Sequence, residues 1–328
     1  MSEYQYYEFQ AIDRPLTPDQ QDQIRKLSSR VRPTATQAVF TYSYGDFRGD
    51  PLKVLEQHFD AMLYVANWGS TQLAFRFPRQ AVDTERLEAY AIEGASDYAD
   101  GVSLRSSAEH LILNIEYHDD DPPDWIEGEG VLGTLIPLRQ DILRGDSRAL
   151  YLAWLKAAAT IVEPGDEPWD DEEDSGSDGE EPELIEPTVP PGLGQLTGAL
   201  QALIEFFDID EDLVRAAAAA SSRLEPTDEP VEAWIKLLPV AERDAFLVRV
   251  AHGETHVGVE LMRRLREVAG PRRQEEALLI ARRPVATIVA EAEGIRLRRE
   301  ERERQAAEQA RIRRQRPWGS ANLKPGSR

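Results

Sequence analysis

Apolar and polar side chains alternate along Tyr4–Ile12, with Tyr7, Phe9 and Ala11 on one side and Tyr4, Tyr6, Glu8 and Gln10 on the other. That period of two predicts a half-buried strand. Ala38–Tyr44 predicts a second strand, and Met62–Ala66 with Thr71–Phe77 flank Asn67–Trp68–Gly69–Ser70 as a hairpin. Leu111, Leu113, Ile115 and Tyr117 alternate with Ile112, Asn114, Glu116 and His118, giving another strand paired with Val102–Ser106. Helices fall between these strands. Thr17 caps one to about Arg30, and Asp50–Pro51 opens one through about Phe59, with Leu52, Val54, Leu55 and Phe59 inward. Thr84–Ile92, Ile136–Leu143 and Ser147–Ile161 complete the set. Strands mixed with helices at short spacing predict an α+β domain with an antiparallel or mixed sheet over residues 1–163.

From Lys156 to Arg215 no basic residue intervenes, and Glu163–Glu186 holds thirteen acidic residues with few large apolar ones beyond Trp169, Leu184 and Ile185. Such a stretch repels itself and buries little, so residues 164–191 are expected to be a disordered acidic linker. Beyond it the pattern turns helical. Leu196, Leu200, Leu203, Ile204 and Phe207 share one helical face, and Asp210 opens a helix over Leu213–Ala220. Further helices are predicted over Pro230–Leu238, Ala241–His252 and Glu260–Val268, making 192–270 an all-α domain. Residues 271–328 form a basic segment in which Leu297–Arg316 has almost no apolar stripe, the mark of a long solvated helix held by Glu–Arg pairs.

Charge sharpens this division. The chain of 328 residues carries 38 Lys and Arg against 60 Asp and Glu, a net charge of −22. Residues 263–328 hold 18 basic and 9 acidic residues, a balance of +9, which leaves −31 on residues 1–262. A body of that sign disfavours phosphate along most of its length, while Arg296–Arg316 leaves a nucleic-acid contact open at one end. There are no cysteines, which excludes disulfides, thiolate metal centres and cysteine nucleophiles. No apolar run approaches the ~20 residues that span a bilayer, and Met1–Phe9 lacks the pattern of a secretory signal, so a cytoplasmic location with no membrane contact is expected.

Four motifs bear on chemistry. His118-Asp119-Asp120-Asp121 follows a strand and offers oxygen ligands and an imidazole for a divalent metal, although Pro122–Pro123 behind it fits a polar turn. His252 and His256 stand four apart, a spacing that puts two imidazoles on one helix face, but the glutamate misses its place in H-E-x-x-H and Gly253 sits where a helix ends. Asp170–Glu180 departs from a calcium-loop spacing and reads as solvated charge. The two Arg-Gly-Asp triplets, Arg48–Asp50 and Arg144–Asp146, each precede a predicted helix and read as caps. The aromatic strand Tyr4–Phe9 with Tyr42 and Tyr44 reads as core rather than a base-stacking face, because Arg and Lys are lacking there. No phosphate loop, dinucleotide fingerprint or nucleophile elbow occurs.

Several phrases are similar to a family of bacterial proteins with no assigned activity. They are Met1–Phe9, Gly45–Pro51, Leu63–Gly69, Leu143–Leu155, Leu238–Pro239 and the basic tail. The resemblance implies a partner at most, one containing a SWIM-type zinc finger, and transfers no catalytic residue. The expectation is therefore a non-enzymatic interaction or assembly protein with an unknown protein partner and no catalytic, cofactor-binding or metal-binding residue assigned. Two alternatives stand beside it: a divalent-metal enzyme using His118–Asp121, and a nucleic-acid accessory factor acting through Arg296–Arg316.

Overall fold

A computed structural model of the protein describes residues 4–92, 100–119, 128–162, 184–225, 229–270 and 282–315. Six strands form one antiparallel sheet: β1 (Gln5–Gln10), β2 (Gln37–Tyr42), β3 (Ala61–Ala66), β4 (Ser70–Pro78), β5 (Gly101–Ser106) and β6 (His110–His118), in the order β2-β1-β3-β4-β6-β5. Helices α1 (Pro18–Arg25) and α2 (Pro51–His58) lie toward one face of it. There Ile24, Leu55 and Phe59 pack with Phe9, Phe40, Met62, Ala74 and Ile112. The opposite face, with Leu63, Leu73, Phe75, Leu113 and Ile115, is covered by α4 (Val131–Leu143) and α5 (Arg148–Val162). The short α3 (Thr84–Glu88) sits near β5. The fold is thus mixed α+β, as the alternation predicted. Its strand β1 differs in one respect: it is buried on both sides, because helices or loops cover each face of the sheet.

Local chemistry explains most boundaries. Thr17 and Gln20 cap α1 reciprocally, and Asp50 accepts from the Leu52 and Lys53 amides at the start of α2. In the second Arg-Gly-Asp triplet, Asp146 accepts from the Arg148 amide at 2.9 Å. Helix α1 stops at Arg25 rather than Arg30, where Ser28 turns its hydroxyl to the Arg30 amide. Helix α4 begins five residues earlier than its pattern suggested. Gly133 and Pro137 sit inside it, and burial of Leu132 and Leu135 outweighs both poor helix formers.

The chain after the acidic stretch packs on this same body. Helices α6 (Gly198–Phe206), α7 (Glu211–Ala218) and the root of α11 (Val285–Gln315) share one apolar core with β4, β6, α4 and α5. Residues 192–218 therefore do not have a core to themselves. Phe207 makes the join, its ring centroid 5.0 Å from that of Tyr117 on β6. The expected linker also ends early. Residues 164–183 lie outside the described residues, but Leu184–Pro191 belong to the fold. Glu186 is buried and accepts from Tyr151 Oη at 3.0 Å and from the Arg283 guanidinium at 2.9 and 3.1 Å. The Glu186 amide bonds the Arg283 carbonyl and the Val285 amide the Leu184 carbonyl, so the start of α11 is clasped to the end of the acidic stretch. A partner 97 residues away turned a residue expected to be solvated into a buried anchor.

A second buried charge network ties the sheet to α4. Arg139 donates to both oxygens of Asp13 at 2.8 Å and to the Arg76 carbonyl at 2.9 Å, while Arg76 pairs with Asp60 at 2.7 Å. Burial raises the Asp13 carboxyl, yet His256 and Arg139 together hold it well below the usual carboxylate range. A carboxyl depressed in the fold contributes stability that is complete above its unfolded value, about 4, and is lost as pH falls below it. Asp13→Asn should therefore flatten the acid limb of stability below about pH 4, measured by urea unfolding across a pH series. An acid limb as steep as the parent's would contradict this.

Candidate functional site

Helices α8 (Val231–Ile235), α9 (Val240–Ala251) and α10 (Val257–Ala269) form a layer on the outside of the body. Leu238, Val257 and Leu265 are buried and seat this layer, and Arg263 donates to the Val82 carbonyl at 3.2 Å. Helix α9 has no buried residue along its twelve. Ion pairs hold it instead: Arg249 to Glu254 and Glu260 at 2.6 and 2.7 Å, and Arg264 of α10 to Glu242 at 2.6 Å. Those charges occupy its inward side. Phe246 is half-buried beside Arg249, but four other apolar side chains face solvent, with Val240 at 62%, Leu247 at 67%, Val248 at 54% and Val250 at 57% exposure, and Leu237 just before them at 56%. Val240, Asp244, Leu247 and Ala251 recur at helical spacing, so one outward face carries apolar groups around a single carboxylate. Apolar residues scattered singly need no explanation, whereas several on one helix face are unusual.

The motifs singled out in the sequence lie elsewhere. His118 ends β6, its Nδ1 3.0 Å from Ser70 Oγ and its amide donating to Asp100 at 2.8 Å. Asp120 and Asp121 lie outside the described residues, as does Asp170–Glu180. Among the described residues no group of three His, Asp or Glu is placed to hold a metal ion. His252 and His256 do not share a helix face. His252 ends α9 and Gly253 follows at φ +73°, whereas His256 opens α10 in the left-handed region at φ +64°. There its Nε2 lies 2.8 Å from Asp13 Oδ2, a pairing that no local spacing reveals.

The basic helix is partly engaged with the body. Val285, Ile288 and Ala292 are buried, and Arg299 reaches Asp212 of α7 at 2.9 Å. Arg304 and Arg311 pair along the helix with Glu300 and Glu308, exposed contacts that each contribute little. No described helix is long and apolar enough to cross a membrane. No family model, curated protein or solved structure matches the chain.

Proposed function

We propose that the protein is a non-enzymatic interaction or assembly protein, and that the outward face of α9 with Leu237 is its docking surface. The observation that carries this reading is the arrangement of α9: Glu242 and Arg249 pair with α10 while Val240, Leu247, Val248 and Val250 meet water. Covering one such side chain is worth about 1.5–3 kcal/mol, so a helix with several exposed carries stored association energy. The occupant is a protein partner that offers an apolar helix face bordered by cations. Asp244 stands exposed among these apolar side chains, so a cation on the partner gains a specific contact there.

The test uses full-length protein and a variant carrying Leu247→Asp and Val248→Asp. Both positions are exposed, so stability should stay within about 1 kcal/mol of the parent. A partner captured from host extract, purified and titrated, should bind the parent at least about tenfold more tightly than the variant. Equal binding would overturn the reading. Concentration-dependent dimerisation abolished in the variant would instead assign the face to a second copy.

A further inference from the structure

We propose that the groove over the β1–β2 edge of the sheet binds an organic cation, an ammonium or guanidinium group, through Glu8. The register sets Tyr6, Glu8 and Gln10 of β1 on one face beside Gln37 of β2, and the start of α4 with Glu129 forms the far wall. The open groove so lined has a volume of about 850 Å³, within the range of small-molecule sites. Farther along the same face the sheet is mainly apolar under α4 and α5, so this polar corner is a local departure from the core pattern.

Glu8 is only 2% exposed. Its Oε1 accepts from Gln10 Nε2 at 2.9 Å and Gln37 Nε2 at 2.8 Å, and its Oε2 from Tyr6 Oη at 2.9 Å. All three donors are neutral. Among the described residues every other buried charged side chain has an opposite charge: Asp60 with Arg76, Arg139 with Asp13, Arg148 with Asp146, Glu186 with Arg283, and Asp212 with Arg215 and Arg299. Burying a carboxylate without a cation is costly, and this fold supplies one everywhere but here. The missing charge is therefore assigned to a ligand.

The surroundings select its chemistry. No Lys or Arg is among the described residues that line the groove, and Glu129 adds a second carboxylate. With the Gln10 and Gln37 amide nitrogens engaged on Glu8, their carbonyl oxygens remain as acceptors. Burial and the Glu8 carboxylate push the Tyr6 phenol up, so it stays a donor to Glu8, and its ring lines the groove beside Tyr4. Negative charge, spare acceptors and aromatic faces together fit a cation with several N–H donors and reject anions.

Isothermal titration of the full-length protein with agmatine, spermidine, a blocked single-arginine peptide and succinate, at about 0.15 M salt, tests this directly. At least one cationic probe should bind saturably and succinate should not. Glu8→Gln should weaken that binding about tenfold or more, while Glu232→Gln, which removes the same charge from the exposed surface of α8, should leave it unchanged. A side chain at Gly133, where a Cβ meets nothing within 4 Å, enters open space in the groove. Gly133→Leu therefore narrows the groove without disturbing Glu8 and should also weaken binding about tenfold or more, which keeps the test decisive if Glu8→Gln fails to fold. Response to the free amines alone identifies a small molecule, and response to the peptide a protein side chain. The proposal is overturned by no saturable binding up to about 10 mM, or by binding that Glu8→Gln and Glu232→Gln weaken equally.

Discussion

Phe207→Ala is expected to lower stability by about 3–5 kcal/mol, and to do so for the sheet and the later helices together. Phe207 is 2% exposed, and its ring meets Tyr117 of β6 and Phe206 of α6 at centroid distances of 5.0 and 4.7 Å. Truncation removes the transfer energy of a large aromatic side chain and leaves a cavity where two chain segments meet. A core shared by both segments should unfold in one transition. Near-ultraviolet signals from the aromatic sheet and far-ultraviolet helical signals should therefore shift together in urea. If only the helical signal moved, residues 192 onward would be an autonomous unit.

Arg139→Met should cost about 3 kcal/mol by a different route, because it leaves the largely buried Asp13 carboxylate against His256 with its bidentate partner gone. The guanidinium also donates to the Arg76 carbonyl and lies 5.4 Å from the centre of the Phe77 ring, so hydrogen bonding and packing are lost with the charge. The companion variant with Asp13→Leu added should recover part of the loss, since replacing both members of a buried pair by apolar groups is far cheaper than removing one. Urea unfolding of the parent and both variants measures this. A loss under about 1 kcal/mol for Arg139→Met would show that the pair is not buried as described.

These two sites differ in how far the sequence announces them. Phe207 falls on the helical stripe of Leu196, Leu200 and Leu203, so its burial is legible, but its contact with Tyr117, ninety residues earlier, is not. Arg139 sits in a run whose apolar pattern says nothing of Asp13, and His256 draws notice for its spacing from His252 rather than for its partner. Glu8 occupies a polar position in an alternating strand, where exposure is the natural expectation; the side chains of Tyr6, Gln10 and Gln37 close over it and make it buried. The arrangement of α9 is equally hidden, because an apolar helical pattern normally points inward and only the seating of α10 shows which side faces out.

By itself the sequence determined what depends on near neighbours. The alternation of β1 and β6, the hairpin through Gly69, the caps at Thr17, Asp50 and Asp210 and the solvated character of Leu297–Arg314 all follow from contacts within a few residues. The tertiary structure alone decided how segments combine: that α6, α7 and α11 complete the core begun by the sheet, that Glu186 closes on Arg283, and that His256 reaches Asp13. The physical reason is that period and capping chemistry fix backbone conformation locally, whereas the partner of a buried charge or an apolar face is set by packing between residues far apart in the chain, which no local pattern encodes.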